Sequence, residues 1–335
     1  MGDHQAVVYA PAMRMIRAIR ALALLGCVAC ADEDASGTGG VLRALLDDAD
    51  GGGDLDAGPP LPSGTLLALT YNVAGLPQGL SSSNPQRFMP LIGPRLNRYD
   101  LVLLQESWQT PDPNPFAPLL RGYHEILVAS SDHPYKSEPA PQPFGSIRAR
   151  PTALLSDGLN VFARAPFMTT ERVAWPRCVA TEADCLAMKG FSMSDVTLAD
   201  GVVVHVYNLH AEAGNSAEDD RARAEGLQLM LTFIEQNSAN EALIVAGDFN
   251  LRTDTEPANG QFTAFAAASG LTDACTELGC ERPGSIDKLL YRGSARVRLK
   301  ADLWRNDSDA FLSDSGEKLS DHDPIAVQLS WSALP

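Results

Sequence analysis

From Thr65 onward the chain alternates short apolar runs with clusters of Gly, Pro, Asn, Asp and Ser. Runs of four to eight leucine-rich or β-branched residues bounded by turn formers read as strands. They fall at Leu66–Val73, Leu101–Gln105, Glu125–Ala129, Leu159–Ala163, Val202–Leu209, Leu243–Gly247, Lys288–Tyr291, Val297–Ala301 and Ile325–Leu329. Helical spacing is clearest over Ala217–Gln236, where Leu227, Met230, Leu231 and Ile234 share a face and Ser216 with Asp219 forms a capping signature. A second helix is predicted over Gln261–Ala268. Strands outnumber helices and no Gly-rich dinucleotide loop is present, so the pattern predicts a two-sheet α/β sandwich rather than a doubly wound sheet.

The first 63 residues follow other rules. Arg14, Arg17 and Arg20 precede the apolar stretch Ala21–Gly26, and Leu24-Leu25-Gly26-Cys27 resembles a bacterial lipoprotein box with Cys27 as the lipidated residue. A plain secretory signal is the alternative. Residues 1–30 are therefore read as an export signal and 31–63 as an acidic Gly/Pro-rich tether. Residues 64–335 are read as the functional domain. No later segment has the roughly 18–20 apolar residues that cross a bilayer.

Charge changes the picture in one respect. The net charge is −16, but Asp32, Glu33, Asp34, Asp47, Asp48, Asp50, Asp54 and Asp56 face only Arg43 in the tether. The remainder is still acidic, which argues against a tight, sequence-independent grip on nucleic acid. Cys27 and Cys30 belong to the signal region. Cys178/Cys185 and Cys275/Cys280 form two close pairs with no histidine at ligand spacing, and are read as disulfides rather than zinc sites.

Six segments carry polar residues at the ends of apolar runs: Thr70–Val73, Leu104–Trp108, Asn208–His210, Gly247–Asn250, Ser285–Lys288 and Leu319–Pro324. Buried polar groups are costly unless they are paired or hold an ion, so their recurrence points to a site. The segments and their order resemble the endonuclease/exonuclease/phosphatase superfamily, which includes deoxyribonuclease I and the neutral sphingomyelinases. The resemblance runs from about Leu66 to Leu329. It implies a four-layer sandwich of two packed mixed β-sheets flanked by helices, and a metal-dependent phosphodiesterase.

Carried over motif by motif, the resemblance makes Glu106 the metal-binding carboxylate, with Mg²⁺ the expected ion. Asn72 would organise the metal and phosphate end, and Asp321 would stand at the metal rim. Asp248 and Asn250 would align the attacking water and hold a phosphate oxygen. His322 would be the general base with Asp287 as its partner, and His210 would act on the leaving-group side. Asp323 is expected to be a structural partner. His205 is expected to be packed in a strand, His124 and His133 to lie in loops, and the Glu218–Arg223 charge run to be a solvated helix start.

The substrate is less sharply drawn. Lys189-Gly190-Phe191 and Trp108 resemble the sphingomyelinase branch. Against it, the stretch Asp302–Lys318, where secreted bacterial sphingomyelinases carry a long apolar hairpin, is short and polar. Membrane engagement would then fall to Trp108, Phe116 or a lipid on Cys27. A phospholipid diester is the leading expectation. A nucleic-acid diester is the alternative, with Arg148, Arg150, Arg164 and Arg177 as the basic contacts it would need. A non-catalytic surface binding protein is the third reading.

Overall fold

The structure, a computed structural model, describes residues 60–78, 81, 83–110, 121–140, 150, 152–180 and 184–335. The export signal with Cys27, most of the tether, Phe116 and Arg148 lie outside the described residues.

Period-two alternation gives most strands two apolar faces. In β1 (Ser63–Asn72), Leu66 and Ala68 point to one side and Leu69 and Tyr71 to the other. β2 (Leu101–Gln105) divides Leu101 and Leu103 from Val102 and Leu104 in the same way. In β8 (Ala242–Asp248) the division is Ala242, Ile244 and Ala246 against Leu243 and Val245. Strands buried on both faces must sit inside a layered stack.

One sheet runs in the order β11 (Val297–Asn306), β12 (Ile325–Ala333), β1, β2, β4 (Asn160–Ala163), β3 (Tyr135–Lys136). The other runs β5 (Phe167–Ala174), β6 (Gly190–Ala199), β7 (Val202–His210), β8, β10 (Asp287–Arg292), β9 (Thr272–Asp273). Both are mixed, with β1–β2 and β7–β8 parallel. Their facing sides share one core of Leu66, Leu103, Val161, Val204, Ile244, Leu289 and Val327 among others. Helices α1 (Pro85–Leu96) and α2 (His124–Ser130) cover the first sheet. Helices α3 (Ala217–Asn237) and α4 (Ala258–Ser269) cover the second. A short α5 (Ala274–Leu278) follows β9. The four-layer mixed-sheet sandwich is thus the observed architecture.

Two expectations are corrected. Residues Glu125–Ala129 are helical, not a strand: the seven-residue α2 buries His124 and Leu127, three positions apart, and its Ile and Val mimic a strand run. The helix α1 is absent from the sequence reading because Pro85, Pro90 and Pro94 punctuate it. Phe88, Met89, Ile92 and Leu96 nonetheless share its buried face. Both later cysteine pairs are disulfide-bonded, as expected. The capping box of α3 is present, with the Asp219 amide donating to Ser216 Oγ at 3.2 Å and the Ser216 amide to Asp219 Oδ2 at 2.7 Å. Among the described residues no helix is long and apolar enough to cross a membrane.

Strand register sets the site. Asn72 is opposite Gln105, one residue before Glu106. His210 is opposite Asp248 on one side of β8, and Asp287 is opposite Asp248 on the other. Gly247 permits this: a Cβ there would lie 2.0 Å from the Leu209 carbonyl oxygen, and its φ is +148°.

Candidate active site

The chain places Asn72, Glu106, His210, Asp248, Asp287 and His322 at one end of the two sheets. The Asn72 Nδ2 amide donates to Glu106 Oε1 and to Asp248 Oδ2, both at 3.1 Å. Its Oδ1 accepts the Ala74 amide at 3.0 Å, which fixes that orientation. Asn72 therefore holds two carboxylates together and does not turn an oxygen toward them. Glu106 has φ +56° and Asn250 φ +49°, backbone that non-glycine residues seldom adopt and that concentrates at functional sites.

On the far side of Asp248, His322 Nδ1 contacts Asp287 Oδ2 at 2.9 Å and Oδ1 at 3.2 Å. Its Nε2 lies 3.7 Å from Asp248 Oδ2. Asp248 Oδ1 accepts the Asn250 amide at 2.9 Å, and Asn250 Nδ2 donates to the Ala211 carbonyl at 3.1 Å. Buried Ser320 ties the His322 loop to β1: its Oγ donates to the Asn72 carbonyl at 2.7 Å and accepts the His322 amide at 3.1 Å.

His210 is sealed beneath these groups, 1% exposed, with Nε2 3.3 Å from Asp248 Oδ2 and 3.9 Å from Glu106 Oε1. Burial first, and then the Lys189 and His322 charges, hold its pKa well below the ordinary imidazole value. A neutral imidazole keeps one N–H, and its Nε2 stands nearest the Asp248 carboxylate.

Lys189 has no role in the sequence reading beyond marking a branch. It is buried at the head of β6, forms an ion pair with Asp184, and faces Glu106, His210 and Asp248 electrostatically. A charged side chain one residue before a strand was the available signal. A second unread network lies under the site, where Gln105 Nε2 donates to Asn208 Oδ1 at 2.7 Å and Asn208 Nδ2 to the Leu104 carbonyl at 2.9 Å.

Whether these residues suit a cation is a question of charge balance. Two buried carboxylates, Asp248 and Asp287, converge with the half-buried Glu106, while Lys189 is already paired with Asp184. Burial pushes Glu106 up from the ordinary carboxyl value and lifts Asp248 to about 6. Burial pushes His322 down, but Asp287, Asp248 and Glu106 outweigh it and raise its pKa to about 10. Ligand atoms of Asp248, Asp287 and His322 lie within 4.8 Å of one another. An oxygen-rich pocket with excess buried negative charge suits a hard divalent cation.

Asp321 is exposed and sits on the lip of the cleft outside this group, accepting from Ser320 Oγ at 3.4 Å. The cleft is about 600 Å³ and is lined by Asp254, Arg282, Asp287, Lys318, Asp321 and His322 among others. Asp323 behaves as the expected structural partner, pairing with Arg282 and Lys318 and accepting from Ser308 Oγ at 3.0 Å.

Other sequence expectations are corrected by burial. Trp108 is 2% exposed and donates from Nε1 to the Ser156 carbonyl at 3.3 Å, so it does not face a membrane. Phe311, which lies within the polar stretch, packs between Tyr71 and Tyr99. Arg150 is buried and donates to the Ala187 and Trp175 carbonyls, Arg164 pairs with Asp132, and Arg177 pairs with Glu225. Of these arginines only Arg150 is withdrawn into the interior; Arg164 and Arg177 are exposed and hold surface ion pairs. His124 begins helix α2 rather than lying in a loop, whereas His133 does lie in a loop, and both are buried. Arg223 of the supposed solvated run is buried, donating to the Glu212, Ala213 and Gly214 carbonyls. His205 is packed within β7 as expected, bound to Ser238 Oγ at 2.7 Å and 3.3 Å from Asp195 Oδ1.

Residues 69–322 match the model of the endonuclease/exonuclease/phosphatase family, and the chain belongs to that family. A Mycobacterium tuberculosis sphingomyelinase is 34% identical over 296 residues, 81% of this chain and 54% of that protein. The chain therefore spans about half the length of the curated relative it matches. Among solved structures, sphingomyelinase C from Streptomyces griseocarneus superposes with a TM-score of 0.54 at 20% identity, covering 80% of this chain and 99% of that one. A Staphylococcus aureus beta toxin mutant with bound magnesium ions gives 0.57 at 16% identity, covering 79% and 99%. At those identities the structural likeness speaks for the fold.

Proposed function

We propose that the chain is an exported, divalent-cation-dependent phosphodiesterase that hydrolyses a phospholipid diester of the sphingomyelin type. The observation that carries it is the Asn72 amide clamping Glu106 and Asp248 beside the Asp287–His322 pair. Likeness to sphingomyelinases supports the lipid substrate, and the burial of Arg150 takes one of the basic groups named for a nucleic acid out of reach. The basic and apolar N-terminal pattern and the two disulfides support export.

In this reading Glu106 and Asp248 would hold the cation, Mg²⁺ by expectation, with Asn72 fixing both carboxylates and Asp321 contributing from the lip. Bound there, the ion would neutralise charge on the phosphate oxygens and offset the carboxylates that raise His322. Asp248 and Asn250 orient a water. His322 Nε2 takes its proton while Nδ1–H donates to Asp287, which stabilises the imidazolium. The water oxygen bonds to phosphorus as the bond to the leaving oxygen breaks, and that oxygen takes a proton from solvent. His210, with Nε2 3.3 Å from Asp248 Oδ2, would back that carboxylate from beneath.

Sphingomyelin vesicles and supercoiled plasmid, each with Mg²⁺ and with chelator, test the proposal. Release of phosphocholine that stops on chelation is the expected result. Nicked plasmid without phosphocholine would replace the lipid reading by a nuclease. Silence on both substrates from folded protein would leave a binding protein.

A further inference from the structure

A second cavity of about 550 Å³ adjoins the catalytic cleft. It lies between the segment after α5, at Leu278–Arg282, and the end of β11 with the turn after it, at Trp304–Asn306, Ser308 and Asp309. Glu281 and Arg282 line both spaces. The partition is the side chain of Asp323, the residue after His322. It pairs with Arg282 and Lys318 and accepts from Ser308 Oγ, so it touches the walls of both.

The charge on this wall is less balanced than its two arginines suggest. Arg282 is neutralised by Asp323, and Arg305 by Asp307, which also accepts from the Tyr99 hydroxyl at 2.6 Å. Glu281 and Asp309 are exposed to the cavity region, and neither is engaged in an ion pair among the described residues. Trp304 is half-buried, its inner side packed on the core between the sheets. The cavity thus offers an anchored indole and two carboxylates with no cation assigned to them. An indole flanked by acids favours a weakly hydrated organic cation, which cannot donate the hydrogen bonds that a bare carboxylate site would select for.

We propose that this cavity is the headgroup subsite of the enzyme, holding a quaternary ammonium against Trp304, Glu281 and Asp309 while the phosphate lies in the cleft beyond Asp323. The inference rests on the phosphodiesterase reading and names which part of the substrate the second cavity recognises. Headgroup recognition on the protein side also accounts for a site rim that lacks a long apolar hairpin, since the selected group is the polar end of the lipid.

Phosphocholine and neohexyl phosphate, in which carbon replaces the quaternary nitrogen, separate charge from shape. Both are titrated by calorimetry into the full chain with Mg²⁺. Phosphocholine should bind about three- to thirtyfold more tightly, the range expected of a cation against an indole. That preference should vanish in Trp304→Leu and shrink in the exposed Glu281→Gln and Asp309→Asn variants, which avoid disturbing the core. Equal binding of the two probes by the wild type, or a preference that survives in all three variants, overturns the subsite. Because the readout is binding, a chain that binds phosphocholine selectively but cleaves no diester would sink the catalytic reading and leave the subsite standing.

Discussion

The Asn72 amide nitrogen is 3.1 Å from Asp248 Oδ2, joining residues 176 positions apart and belonging to different sheets. The same nitrogen holds Glu106 at 3.1 Å. One primary amide thus uses both of its hydrogens on two acids, buried Asp248 and half-buried Glu106.

Replacing Asn72 by Ala should remove the donor that Glu106 and Asp248 Oδ2 share. An unsatisfied buried acceptor costs about 1–3 kcal/mol, so urea unfolding in chelator should show a loss of that order. The Mg²⁺ concentration for half-maximal activity should rise as well. Stability equal to wild type would mean the clamp carries no weight.

Glu106→Gln should move two measurements in opposite directions. Burial raises the Glu106 carboxyl, so at pH 8 its ionised form opposes folding, and the amide relieves that. Metal-free Tm should rise, by about 2–4 °C for each 1 kcal/mol recovered in a chain of this size. Stabilisation by added Mg²⁺ should shrink. An undiminished Mg²⁺ response would remove Glu106 from the cation site.

His322→Ala should lower turnover by roughly 10²- to 10⁴-fold, the range for a lost general base, with KM nearly unchanged. Asp287→Asn, which keeps the shape but not the charge beside Nδ1, should also lower kcat. A loss under about fivefold for His322→Ala, measured on the identified diester, would take proton transfer away from it.

Acid sensitivity has a definite source outside the site. Burial, followed by the Arg172 charge, depresses the His124 pKa from 6.5 to about 4. The unfolded chain therefore takes up the proton first. His124 supports the fold fully above pH 6.5, and that support is lost as pH falls through 4, up to about 3 kcal/mol in all. His124→Gln keeps a partner for Ser107 Oγ, now 3.1 Å from His124 Nδ1, and removes the titration. The stability difference between the two proteins should vary between pH 6.5 and 4 and be flat above. A constant difference across that window would contradict the assignment.

Strands such as β2 and β8 were legible because both faces are apolar and turn residues bound them closely. The catalytic segments were legible because each polar residue ends such a run, as Asn72 ends β1 and Asp248 ends β8. What escaped depends on tertiary packing. Prolines hid α1, whose apolar face only pays off against β1 and β2. The burial of Lys189, Arg150 and Arg223 escaped because long cations look exposed in sequence, and only folding supplies the carbonyls and acids that receive them.

The ends of β1, β8 and β10 fix the reacting groups, whereas Glu281 and Asp309 come from connecting segments and Trp304 from the edge strand β11. Chemistry and selectivity are thereby carried by separable parts of the chain. Exchanging the stretches around residues 279–286 and 302–318 should redirect such a scaffold to a different phosphate ester while leaving its bond-breaking machinery untouched.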